Sequence, residues 1–264
     1  MPTNNTANVK QWLEQSNVDY FTHFVKAWIP FNAWYRHTYP ALGSECEILD
    51  EIKSDGNRIR TRFMARLEGT DPESEEMRNH ISALHRRLSA DPLRDRTGHA
   101  ISFENVCVGK NPRAKVEFTS YGWKYIVERQ KIPVKQVICT IINRSGRVVS
   151  TIIQPGDWDV DVFQVNTDYL ALNAKKRSPL LTCYKQANPF NYCSLLAGAA
   201  VRDTLEMDGY RFVHDTAMIF AGLVDVLYAM RNLLFHGELV PDPQTNRTYE
   251  PAYHLLRHLI EKIV

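Results

Sequence analysis

Arg231, Asn232 and His236 stand together in the segment RNLLFHG, and Gly237 follows the histidine at once. These residue types can do acid–base chemistry on a phosphate ester. Imidazole titrates near neutral pH and can move a proton. A guanidinium offers a planar fork of donors to phosphate oxygens. An ideal helix would set Arg231 and His236 about 7.5 Å apart along its axis and roughly 140° apart in rotation. One helix therefore does not aim both groups at one atom, although Asn232 and His236, four residues apart, share a face. Gly237 falls where a left-handed residue ends a helix. That leaves His236 at the helix C-terminus, where the dipole favours imidazolium by about 0.3–1 kcal/mol. Cations at helix C-termini are also ordinary dipole complements, so spacing alone leaves a structural and a catalytic reading open. A helix that buries Arg and His at a cost of a few kcal/mol points toward use rather than scaffolding.

Other residues with chemical potential are weaker. His254 and His258 are spaced to bind zinc from one helix. No Glu follows the first, however, and Arg257 adjoins the second, so a solvated or interface face is expected and no metal or cofactor. His80 and His85 are five apart and have no ligand logic on one helix. Arg58, Arg60, Arg62 and Arg66 form one basic run, and Arg86, Arg87, Arg94 and Arg96 another. Either run tracks an RNA backbone or makes a solvated surface. Asp157, Asp159 and Asp161 lack the Gly and terminal Glu of a calcium loop. The five cysteines are widely spaced with no CxxC pair, which predicts reduced thiols. Walker A, GxGxxG and GxSxG motifs are absent from the sequence.

The elements that must position these residues read as follows. With 264 residues, 44% hydrophobic and 23% charged, the chain can bury a sizeable core. A net charge of +2 excludes nucleic-acid binding through global charge and leaves local patches to do it. The opening MPTNNTANVKQWLEQ is polar and predicts no signal peptide. The apolar stretch 216–235 contains Asp225 and Arg231, each costing several kcal/mol in a bilayer, so a buried core helix and a cytoplasmic protein are expected. Phe21, Phe24, Trp28, Phe31 and Tyr35 make one helical stripe within 18–39. Pro30 is expected to bend or divide that helix, and Asn32, near the apolar face, must find a partner. Residues 44–66 predict one or two helices broken at Asp55-Gly56, and 71–90 another that opens on Asp-Pro and acidic residues. Segments 101–108, 115–121, 137–143 and 147–154 read as strands, with a turn at Arg144-Ser145-Gly146 and a helical alternative for 124–143. Residues 166–192, which carry Pro179, Pro189 and several Asn, read as loop, and LLAGAAVRDTLEM as one helix. A long helix over 214–236, a loop PDPQTN and a final helix from Tyr249 complete the pattern.

The Arg-x4-His spacing, with Asn after the Arg, His-Gly at the end of an apolar helix and a further amphipathic helix behind it, resembles the signature of the HEPN superfamily. FVKAWIPFNAWYRHTY is similar to the first helix of many bacterial members. The resemblance covers about 18–66 and 211–263. It implies a mainly α fold, an antiparallel helical bundle forming a single domain from about 18–90 and about 194–264, with a small β-containing insertion at about 100–165. It further implies a metal-independent endoribonuclease acting as a homodimer, of the toxin or antiphage kind, with a neutralising antitoxin or other regulatory partner. Arg231 and His236 would be catalytic, with Asn232 and Asn32 in support and Arg58, Arg60, Arg62, Arg86 and Arg87 as RNA contacts. The alternative is a non-catalytic HEPN-like dimer that binds RNA or a protein. Members that pair with a nucleotidyltransferase antitoxin carry Tyr two places after the His. Glu238 stands there instead, either to accept from His236 or to repel phosphate.

Overall fold

A computed structural model describes residues 18–95 and 98–261, so Arg96 lies outside the described residues. The expectation of a mainly α bundle is overturned. About half of the protein is helical and about 20% is strand, with several antiparallel sheets, so the class is an α/β mix. Two compact units divide the chain, Met1–Val108 with Tyr192–Val264, and Gly109–Asn191.

The first unit holds α1 (Tyr20–Thr38), α2 (Glu45–Ser54), α3 (Arg58–Glu68) and α4 (Pro72–Ala90) from its N-terminal part. From its C-terminal part come the hairpin β7 (Thr204–Met207) and β8 (Tyr210–Val213), then α8 (Thr216–Phe235) and α9 (Pro243–Ile260). The chain passes between the units along β1 (Val106–Lys110) and β6 (Phe190–Cys193), which pair with each other. The expected stripe on α1 is real, with Phe24, Trp28, Phe31 and Tyr35 buried and Phe21 half-buried. Pro30 does not end the helix. It and Lys26 are exposed, so the Lys26 carbonyl that loses its helical donor can turn to water. The predicted break at Asp55-Gly56 separates α2 from α3, with Asn57 capping the second by accepting from the Arg60 N–H at 2.9 Å.

α8 is the one helix among the described residues long and apolar enough to cross a membrane, and over half of it is buried in the protein. Ile219, Phe220, Leu223, Val224, Leu227 and Met230 pack with the α1 stripe and with Tyr249, Leu255, Leu256 and Leu259 of α9. A Cβ at Gly222 would lie 2.7 Å from both Leu195 and Val106 side chains, so that position admits no larger residue without a shift.

Three predicted elements differ, each for a local reason. LLAGAAVRDTLEM is not a helix. Its last residues form β7, and Asp208-Gly209, with φ of +48° and +80°, make the two-residue turn into β8 that suits a twisted hairpin. Tyr121-Gly122 (φ +50° and +78°) repeat that device in the second unit. They join β2 (Lys115–Ser120) to β3 (Trp123–Gln130), and 124–143 is strand over 124–130 and 136–142 with a bend between, not helix. The loop expected over 166–192 contains α6 (Thr167–Ala171) and α7 (Ala174–Gln186), after α5 (Val160–Gln164). The asparagines that suggested loop, Asn166 and Asn173, are N-caps, the other use of the same side-chain chemistry. Likewise PDPQTN is the start of α9, capped by Asp242 with Pro243 at the first helical position.

The second unit is an antiparallel sheet in the order β2-β3-β4-β5, with β4 (Gln136–Ile142) and β5 (Val148–Pro155) joined through the predicted turn. Tyr125, Val127, Val137, Cys139, Ile141 and Ile152 face Phe163, Leu180, Cys183 and Tyr184. All five cysteines are free, and burial pushes the Cys183 thiol up to about 11.

Candidate active site

Arg231 sits in the last turns of α8, and α2 supplies its counter-ion. Ser44 starts α2 with a reciprocal capping box to Glu47, which fixes Glu45 as the first helical residue. Arg231 Nη1 lies 3.3 Å from Glu45 Oε2, and the two side chains are 19% and 17% exposed. The same Nη1 donates to Asn232 Oδ1 at 2.9 Å. The guanidinium carbon lies 4.3 Å from the Phe235 ring centroid and 5.9 Å from that of Trp28, both within cation–π range. Its buried Nε has no acceptor.

Glu45 continues the network toward α1. Tyr35 donates its hydroxyl to Glu45 Oε1, and Asn32 Nδ2 donates to the Tyr35 oxygen at 2.5 Å. Asn32 thus finds the partner its position demanded. Burial, and then the bond to Glu45, push the Tyr35 hydroxyl well above the usual phenol range, so it stays a donor. Tyr228 stacks on Trp28 with centroids 6.3 Å apart and places its hydroxyl 3.6 Å from Cys46 Sγ. Of the residues singled out by sequence, Arg231, Asn232 and Asn32 therefore meet in one cluster. Tyr35 and Glu45 complete it, and sequence reasoning gave neither a polar role. The one signal for Glu45 was the capping box, which fixes where α2 begins.

His236 is placed differently. It is the C-cap residue of α8 and is exposed. Gly237 adopts φ +66°. Its N–H donates to Leu234 O at 3.2 Å, and Glu238 N–H to Leu233 O at 3.0 Å. This is the paired pattern of a Schellman ending. It fixes the backbone beneath His236 while the imidazole side chain makes no hydrogen bond among the described residues. The expectation of a buried histidine is corrected: α8 carries Arg231 half-buried and paired, and His236 at the surface. Tyr249 of α9 steadies this end of the helix by donating its buried hydroxyl to Met230 O at 2.8 Å.

The other charge in α8 is closed off. Asp225 Oδ1 accepts from Lys53 Nζ at 3.0 Å and its Oδ2 from the Cys107 N–H at 2.9 Å. Lys53, 8% exposed, also donates to Cys107 O at 2.9 Å.

The arginines named as RNA contacts are not brought to this cluster by any hydrogen bond or ion pair. Arg58, Arg60 and Arg62 lie on α3, where Arg60 Nη1 reaches Asp55 O at 3.4 Å. Arg86, near the end of α4, pairs with Asp208 at 3.1 Å, and Arg87 lines a cleft with Val18, Asp242 and Asn246.

His80, read with His85 as lacking ligand logic, meets the two histidines of α9, while His85 packs against Tyr210 and Phe212. His80 of α4 stacks on His254 of α9 (4.6 Å, 6° between planes) and lies 5.8 Å from His258. Burial holds His80 and His258 below the usual imidazole range, and for His80 the neighbouring His254 and His258 add to this.

Compared with known proteins, the chain matches no family model, no curated protein and no solved structure.

Proposed function

We propose that this chain is an endoribonuclease of HEPN type whose site is completed by a second copy. A ribose 2′-OH would attack the adjacent phosphate to form a 2′,3′-cyclic phosphate and expel the 5′-oxygen of the next nucleotide, with His236 taking the 2′ proton as general base or giving one to the leaving oxygen as general acid. Arg231 would stabilise the charge that develops on the phosphorane-like transition state. Asn232 and Asn32 would support the arginine and its carboxylate. No metal takes part in these steps, and DNA, lacking the 2′-OH, is not a substrate. The reading is of an effector in the cytoplasm, held in check by an antitoxin or regulatory partner.

The observation that carries it is the contrast at the end of α8. Arg231 is held by Glu45 and by aromatic rings. Five residues on, His236 is exposed on a backbone locked by Gly237. The pairing Arg231–Glu45 also favours a second reading, a non-catalytic module that binds RNA or a protein, because it already occupies part of the guanidinium.

Purified protein is incubated with mixed RNA in EDTA beside His236→Ala. The proposal expects cleavage that falls about 10²–10⁴-fold in the variant. RNA left intact by the wild type, but retarded on binding, selects the second reading. Cleavage that survives His236→Ala removes the site assignment.

A further inference from the structure

The face between α4 and α9 gathers side chains that neither the core nor the Arg231 cluster uses. Glu76 and His80 stand one helical turn apart on α4, and His258 comes across from α9. One ligand-type atom of each lies within 4.8 Å of the others. We propose that Glu76, His80 and His258 bind a divalent transition-metal cation of the zinc class, joining α4 to α9.

Three observations carry this. The first is an unsatisfied atom. His80 Nε2 is buried without a hydrogen-bond partner, and the nearest carboxylate oxygen, Glu76 Oε1, is 3.7 Å away. That gap is too long for a hydrogen bond. A cation about 2.0–2.1 Å from each atom would span it at an angle of about 125–135°, and a small approach of the two side chains brings that to tetrahedral. The second is the ligand set. Two imidazoles and one carboxylate suit zinc and leave a fourth position for water, and all three residues are partly open to solvent, so a cation has a way in. The third is orientation. His254 lies flat against His80, planes 6° apart, which restrains the His80 ring as an outer residue does at a metal. Closing the triad asks His258 to move in by at most about 1.5 Å to reach tetrahedral ligand spacing, within the range of a side-chain rotation.

The site bears on α9 as a whole. Asn246 Oδ1 accepts from the Tyr20 N–H at 2.8 Å, and the Tyr20 hydroxyl donates to Glu250 at 2.9 Å, so α9 also secures α1. A cation between α4 and α9 would fasten three helices through one ligand from the last of them.

The test uses the full chain, stripped of metal, with Co²⁺ and Zn²⁺ as probes. Co²⁺ should bind once per chain and give visible bands of a low-coordinate nitrogen/oxygen site, without thiolate charge transfer. Zn²⁺ at a hundredfold excess over its Kd should raise the thermal midpoint by roughly 5–10 °C. His80→Gln and His258→Gln should lose both signals, while His37→Gln, on the last turn of α1, keeps them. Failure of the wild type to take up Co²⁺ overturns the proposal, as does a thiolate band or an undiminished shift in the two ligand variants. The wild-type spectrum decides the matter even if a ligand variant does not fold.

Discussion

α8 carries two charges through an apolar core, and α2 answers both. At one end of α2, Lys53 meets Asp225, and at the other Glu45 meets Arg231. The two pairs are built to different specifications. Around Asp225 both carboxylate oxygens and the ammonium are occupied, with the Cys107 backbone taking what the pair leaves over. Around Arg231 the guanidinium keeps an unpartnered Nε, and the exposed Phe235 ring lies against it. A closed pair holds two helices in register. An open pair leaves a buried donor, Arg231 Nε, without an acceptor, at a cost in unmet hydrogen bonding. On the proposed function the difference separates a strut from a site, even though both pairs join the same two helices.

The largest expected effect tests the open pair. Arg231→Ala should cut RNA cleavage by about 10²–10³-fold, the loss typical of removing one transition-state donor, measured by initial rates on a fluorescent RNA. The variant should stay folded by circular dichroism. If Arg231→Ala unfolds the protein, the pair is a second strut and the contrast fails.

Next comes the closed pair. Lys53→Ala should destabilise by about 2–4 kcal/mol in urea melts, because a largely buried carboxylate loses its partner. The lower bound allows for the 28% exposure of the Asp225 side chain. Replacing both partners, Lys53→Met with Asp225→Leu, should recover most of that loss. A double variant no better than the single would mean that the Asp225 bond to the Cys107 N–H matters more than the ion pair.

The smallest effect concerns the backbone under His236. Gly237→Ala places a Cβ in the left-handed region and should cost about 1 kcal/mol, seen as a lowering of the thermal midpoint by roughly 2–4 °C. Cleavage should fall further than stability alone explains if the Schellman ending aims the imidazole.

Much of the helical frame was legible because its signals are local. The stripe Phe24–Trp28–Phe31–Tyr35, the stop at Gly237 and the break before Asn57 each follow from side-chain spacing or a single φ preference. The hairpin at Asp208-Gly209 was missed, because the small residues before it were taken for helix. The asparagines before α6 and α7 misled because one chemistry, a short side chain accepting from the backbone, serves both loops and helix starts. Partners across the fold were not legible at all. Nothing local singles out Glu45 or Lys53 of α2 for a partner on α8, and His80 meets His254 and His258 only across the fold, on α9. Their roles depend on helices more than 170 residues away in sequence for the first two, and no periodicity encodes that distance.

The order of the elements along the chain also bears on synthesis. α1 to α4 leave the ribosome first, and the second unit follows before α8 and α9 appear. The stripe on α1 then stays without the surfaces that cover it, since its partners Asn246 and Tyr249 lie on the last helix described. Exposed apolar surface on a nascent chain invites aggregation or a chaperone. The same delay has a protective side. Glu45 and Arg231 cannot meet until α8 has been made, so a nuclease built this way would have no assembled site while its earlier elements are synthesised.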